Sequence, residues 1–166
     1  MNDSDRKAAL IAVLRAGGAE AVATFRALPE GHFATGRYEN GWAARDILAH
    51  LAAIEWTYAR LLDLPSRDAD ADAGGRVERN VAPEVGSRMD DYNRKQVERR
   101  ASKNIAELVA EFETNRAATI AAVEAAEPAA LARQVESFGG MRGTLADVIE
   151  AVVVQHVGGH VRDIAG

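Results

Sequence analysis

The chain has 166 residues, 48% of them hydrophobic and 27% charged, enough for a single globular domain over residues 1–166 with a sizeable core. It contains no cysteine, which excludes disulfides, thiolate metal sites and a cysteine nucleophile, so any metal site must use His, Asp or Glu. A formal net charge of -5 argues against a phosphate-binding surface, and nucleic acid is not an expected partner. The opening MNDSDRKAAL has no basic flank followed by an apolar stretch, and no apolar run approaches the ~18 residues of a membrane span; the expectation is a soluble, cytoplasmic chain with no membrane partner.

Apolar residues recur at helical spacing, with no alternation that would mark a sheet, so the fold class is all-α. A first helix is predicted from about Ser4 to Leu28, with Leu10, Leu14, Ala21, Phe25 and Leu28 on one face, Gly17 interrupting it and Pro29 ending it. The polar loop EGHFATGRYENG leads to Trp42 and a second helix whose inner stripe is Ile47, Leu51, Ile54, Tyr58 and Leu61, closed by Pro65. SRDADADAGGRVERNVAPEVG follows, too long for an ordinary hairpin between antiparallel neighbours, and reads as a crossover over about 63–87. Its RDADADAGG run is a solvated loop rather than a calcium site, because the remaining ligand positions of a calcium loop are missing.

The third helix is predicted to start near Arg88 and bend around Ser102, with Met89, Tyr92, Asn93 and Gln96 on one stripe and Ile105, Leu108, Phe112, Ile120 and Val123 on the next. Pro128 and the glycines at 139 and 140 bracket a second irregular stretch. Thr144 with Asp147 makes a capping box that opens the last helix. Four long helices with one non-hairpin connection, between the second and third, describe a four-helix bundle.

Two of the four histidines, His156 and His160, stand four apart in QHVGGHVRDI. At about 100° per residue they share a stripe with Leu145, Ile149, Val152, Gly159 and Asp163, so both imidazoles are expected to point into the core. His50, three residues after Ile47 and four before Ile54, belongs to the inner stripe of the second helix. Three inward imidazoles would each need a buried partner, and one shared divalent ion serves all three while leaving a coordination position open, as catalytic sites do. Three nitrogen donors suit zinc or nickel, with iron or manganese as further options, over magnesium or calcium. His32, in a Gly-rich loop, is expected to be solvent-exposed and not a ligand.

Adjacent glycines inside a helix are costly, so Gly158 and Gly159 ask for a reason. Gly159 would leave room beside the ligand face, and Gly158 would face another helix or subunit. Asn93 and Gln96 either line a pocket or form a buried hydrogen-bonded pair at the helix bend; with Arg162 they are the candidates for binding a cofactor. Arg142 is a further candidate anion contact, and Asp46 is read as a capping carboxylate in the first turn of its helix.

WAARDILAHLAAIEW resembles the W-x-x-[RK]-D-[IV]-L-x-H-L segment of the DinB/YfiT-like superfamily, and QHVGGHVRDI resembles its terminal H-x-x-x-H. MDDYNRKQVERRASKNIAELVAEFETNRAATIAAV is similar to the third-helix region of mycothiol-dependent maleylpyruvate isomerase N-terminal domains and colibactin self-protection proteins. The resemblance implies a bundle of up-down-down-up type, a divalent metal held by His50, His156 and His160, a homodimer, and thiol-dependent transferase or isomerase chemistry. The pattern departs from that family at three places. The isomerase branch has a glutamate where His156 stands, the glutamine of an H-x-G-Q ending is replaced by Asp163, and the Ser or Thr after the tryptophan is Ala43. With no extension after Gly166, a second substrate-binding domain is not expected.

Two function classes follow. In one, a metal-dependent enzyme binds a low-molecular-weight thiol such as mycothiol, bacillithiol or glutathione and directs it at a small electrophile, or activates water for hydrolysis. In the other, the protein sequesters a ligand or is a metal-stabilised structural dimer without turnover.

Overall fold

A computed structural model of the chain describes residues 2–38, 41–64, 83–137 and 140–166, with the backbone alone for 83–87. The long helices are α1 (Asp3–Ala27), α2 (Ala44–Tyr58), α3 (Pro83–Glu98) and α4 (Ile105–Ala125). A last helix is built from α5 (Leu145–Ile149), a wider π turn (Glu150–Gln155) and α6 (His156–Ala165). Single 3₁₀ turns follow α1, α2 and α4.

The contacts fix the directions of the helices. Lys7 donates to the carbonyls of Glu124 and Ala126 while Arg26 pairs with Glu113, so α1 and α4 are antiparallel. Arg45 donates to the carbonyls of Arg100 and Lys103 while Asn115 donates to that of Ala52, so α2 and α4 run the same way. Arg6 pairs with Asp147 at one end of the last helix and His32 reaches Ile164 at the other, so that helix runs with α1. This is the expected all-α bundle in up-down-down-up order.

Its core is continuous across the four helices. Leu14, Phe25, Ile47, Leu51, Leu108, Phe112, Val123 and Ile149 are wholly or almost wholly buried. Among the described helices α1 alone is long and apolar enough to match a membrane span by composition, with a mean hydropathy of 1.5 over 18 residues, which departs from the expectation that no run approaches one. Arg15 and Glu20 interrupt the run, and Leu10, Leu14, Ala21 and Phe25 of the same helix are committed to the bundle core.

The third helix differs from the prediction. It begins at Pro83, a residue suited to a first helical turn, and the bend expected at Ser102 is a full break. Asn104 restarts the chain as α4 through a reciprocal cap: its Oδ1 accepts from the Glu107 amide at 2.9 Å and its own amide donates to Glu107 Oε2 at 2.7 Å. The Arg45 guanidinium satisfies carbonyls at the end of α3. Most of the predicted crossover, including Pro65 and the RDADADAGG run, lies outside the described residues, as does the glycine at 139. The irregular stretch before the last helix holds a small antiparallel hairpin that the sequence reading missed, β1 (Gln134–Glu136) with β2 (Arg142–Thr144). Thr144 caps the last helix as expected, accepting from the Asp147 amide at 3.2 Å.

One charged pair sits at the centre of the bundle. Arg116 of α4 donates from Nε and Nη2 to the two carboxylate oxygens of Glu55 at 2.6 and 2.9 Å. It also donates to the carbonyls of Leu14 (3.2 Å) and Val153 (3.0 Å), so one guanidinium ties α4 to α1, α2 and the π turn. Burial pushes the Glu55 carboxyl up, and the two hydrogen bonds from Arg116 pull against it. Room for the guanidinium stem comes from Gly18, where a Cβ would stand 3.0 Å from Arg116 Cγ. Gly18, rather than the predicted Gly17, is the glycine of the inner face.

Candidate metal centre

An undistorted helix turns about 40° past a full circle at every fourth residue. The last helix nonetheless buries Leu145, Ile149, Val153, Val157 and Val161, each four after the one before. The π turn permits this, because its wider i→i+5 turn falls short of a full circle at every fourth residue and so offsets the overshoot of the α segments on either side. The inner stripe therefore passes through Val153, Val157 and Val161, not through Val152, His156 and Gly159 as the straight wheel predicts. His156 and His160 lie beside that stripe and are half-buried, at the edge of the core rather than inside it.

That edge faces α2. His50, 4% exposed, presents its ring to both: the centroid separations are 6.0 Å to His156, 5.2 Å to His160 and 4.5 Å between the pair, all near-perpendicular. One nitrogen from each ring falls within 4.8 Å of the others. The Nε2 atoms of His156 and His160 face each other at 2.9 Å. Their Nδ1 atoms turn outward to phenols, His160 to Tyr38 at 2.8 Å and His156 to Tyr58 at 3.3 Å. Tyr38 also donates to Asp163. Burial first, then Asp163, raises the Tyr38 phenol well above its ordinary value, so it keeps its proton. The Trp42 ring closes the site against His50 at 5.4 Å.

Burial lowers the His50 imidazole to about 3, helped by repulsion from His160 and His156, and burial lowers His160 as well. Both rings are neutral donors at neutral pH. The sign is then fixed: a folded pKa below the unfolded value of about 6.5 means that the unfolded chain takes protons which the folded one refuses. Metal-free protein is expected to lose stability as pH falls from about 6.5 toward 5, above the carboxylate range, by up to about 1.4 kcal/mol per pH unit for each such histidine. Urea midpoints across that window test this. His50→Ala should flatten the slope, and an unchanged slope would contradict it.

The residues fit a divalent ion. A metal held by imidazole nitrogens at about 2.0–2.1 Å needs its ligand atoms about 3.3 Å apart in a tetrahedral arrangement, within reach of small ring rotations from the present spacing. His50 Nδ1 is buried with no hydrogen-bond partner, so one polar atom of this ring is left unsatisfied in the metal-free site. Two of the three rings have their remote nitrogen beside a phenol, and the 2.8 Å contact of His160 is of the kind that orients a ligating histidine.

The other predicted residues fall elsewhere. His32 is half-buried, not solvent-exposed: its Nε2 stands 2.6 Å from the Ile164 carbonyl and 2.7 Å from Arg37 Nη2, and this cluster pins the loop after α1 to the end of the last helix. Gln96 accepts from Arg100 at 3.0 Å and lines a groove with Trp56, Tyr92, Arg99 and Asn115 that contains none of the three histidines. Asn93 is half-buried on α3. Arg162 is exposed and folds back along its helix, so that a Cβ on Gly158 or Gly159 would come within 3.7 or 4.0 Å of its guanidinium. Neither glycine meets another helix, and the space above them holds that side chain. Arg142 pairs with Glu136 across the hairpin. Asp46 caps α2, accepting from the Ala43 amide at 2.9 Å.

The sequence reading missed Tyr38 and the role of Tyr58. Tyr58 carried a signal, standing on the His50 stripe two turns on. Tyr38 carried none, because it comes from a loop: the amides of Arg37 and Tyr38 donate to the Trp42 carbonyl, and Gly41, at φ +88°, donates back to the Tyr38 carbonyl. That positive φ is where glycine is needed.

The sequence matches the DinB superfamily over residues 14–164. No curated protein matches it. Among solved structures it is similar to the mycothiol-dependent maleylpyruvate isomerase, with TM-score 0.69 and 16% identity, and to a histidine-to-alanine mutant of that enzyme, with TM-score 0.69 and 15% identity. In both cases the whole of this chain is covered but only 64% of the other, so it spans less than two thirds of the length of those structures. At such identity the likeness is one of fold.

Proposed function

This chain belongs to the DinB superfamily, and from that premise we propose that it is a divalent-metal-dependent enzyme joining a low-molecular-weight thiol to small electrophiles, as an S-transferase or isomerase. The observation that carries the reading is the convergence of His50, His156 and His160, with two Nε2 atoms face to face and a buried unpartnered nitrogen on the third ring. Zinc or nickel suits the donors best. When bound, the ion would supply Lewis acidity, lowering the pKa of a thiol or water in its open position.

The protein's own groups do the rest. The three imidazoles hold the reactive centre between α2 and the last helix, while Trp42 and Tyr58 wall it off on the buried side. The half-exposure of His156 and His160 leaves the other side open to a small molecule. Arg162, exposed over Gly158 and Gly159, puts a cation one turn from that opening, where it would attract the carboxylate of a thiol cofactor or an acidic substrate. Gln96 and Asn93 fit such a role less well, since the Gln96 groove is lined without the histidines. The chain has no cysteine to act as nucleophile, which favours an added thiol.

Purified protein is expected to carry about one divalent ion per chain by elemental analysis. Loaded protein should conjugate mycothiol, bacillithiol or glutathione to a member of an electrophile panel. Turnover without thiol would replace the reading by metal-assisted hydrolysis, and tight binding without turnover by a sequestering module. Protein that can neither be loaded nor turn anything over would end it.

A further inference from the structure

We propose that Tyr38 is a positioning residue: held by Asp163, it fixes the proton of His160 on Nδ1 and leaves the Nε2 lone pair aimed at the point where the three rings converge. The inference rests on the metal reading for its purpose but not for its geometry. A phenol has one proton to give, and a carboxylate can only accept, so the Tyr38 hydroxyl is committed to Asp163. Toward His160 its oxygen can then only accept, and the 2.8 Å contact must be an N–H from Nδ1. A neutral imidazole carries a single N–H, so Nε2 is bare.

The neighbouring ring is set the opposite way. Both oxygens of Glu55, the carboxylate near Tyr58, are engaged by Arg116, and among the described residues the Tyr58 hydroxyl is hydrogen-bonded to His156 Nδ1 instead, so its proton goes there. In the metal-free protein His156 then carries its proton on Nε2 and donates it to the bare Nε2 of His160 at 2.9 Å, a proton that would have to leave that nitrogen before the ring could ligate. Opposite tautomers on two histidines one turn apart thus follow from one phenol that has a free carboxylate partner and one that does not. Asp163 Oδ2 also stands 3.5 Å from His160 Nδ1 and favours a proton on that same nitrogen.

The test uses the full chain, metal-free and then titrated with Co²⁺. In ¹⁵N-histidine spectra of the metal-free protein, His160 should show the Nδ1–H tautomer, and Tyr38→Phe, which keeps the ring but loses the oxygen, should shift it toward Nε2–H. Asp163→Ala should move it in the same direction. Co²⁺ affinity, read from visible absorption, should fall about 10–100-fold in Tyr38→Phe, the usual loss when an outer partner of a ligand is removed. An unchanged tautomer in Tyr38→Phe would overturn the proposal, as would an affinity within about twofold of the parent's, well short of that loss. If the parent chain binds no Co²⁺, the metal reading fails separately and the tautomer measurement still decides the relay.

Discussion

Replacing Arg116 with methionine is expected to lower the stability of the fold by about 3–5 kcal/mol, because it strands the Glu55 carboxylate in the middle of the bundle. Glu55 is fully buried, and in the native protein both its oxygens are satisfied by that guanidinium. The loss also frees the carbonyls of Leu14 and Val153, so α1 and the π turn lose their tie to α4. The double replacement Glu55→Leu with Arg116→Met should recover most of the stability, since an apolar pair of similar volume avoids the cost of burying charge. Urea denaturation of Arg116→Met, Glu55→Leu and the double variant tests it. Single variants as stable as the parent would show that the pair is not the hub its contacts describe. A double variant no better than Arg116→Met would show that the lost carbonyl contacts, not the stranded charge, dominate. Because Val153 lies three residues before His156, the single variants should also loosen the imidazole pair.

His50→Ala, His156→Ala and His160→Ala are each expected to weaken divalent-metal binding by more than about 100-fold, beyond what loss of an outer partner costs, while His32→Ala leaves it unchanged. Only the first three bring a nitrogen within 4.8 Å of one another. His32 does its work at the end of the last helix, in the cluster with Arg37 and the Ile164 carbonyl, so its removal should cost stability of about 0.5–1.5 kcal/mol instead. Calorimetric titration with Zn²⁺ separates the two outcomes. Equal losses in all four variants would count against the assignment, and circular dichroism should show the helices intact in each, since the apolar core does not depend on these rings.

Some of the departures from the sequence reading had a visible origin. Arg116 stands four residues after Phe112 and four before Ile120, a charged residue in the gap of an apolar stripe, and Glu55 stands four after Leu51. Two opposite charges on inner faces of different helices were legible as a buried pair. Asn104 and Glu107 form the same N-terminal signature that was read at Thr144 and Asp147, so the break between α3 and α4 was also written in the chain. The hairpin was not, because strands of three residues are too short for an alternation to register.

Local periodicity and capping were enough to specify an all-α bundle, the extent of its first helix, the cap of the last one and the face of α2 that carries His50, while α2 gives way to a 3₁₀ turn after Tyr58 instead of running on through Leu61. These follow from regularities of a helix that repeat every turn and depend on neighbours a few residues away. How His156 and His160 sit relative to the core was beyond that reach. A wheel assumes a constant turn, and the π segment that breaks it is held by Arg116 reaching across from α4 to the Val153 carbonyl. The phenols that orient the two rings are likewise long-range partners, 122 residues away for Tyr38 and 98 for Tyr58. Which nitrogen carries the proton therefore depends on packing between helices, and no spacing along the chain encodes it.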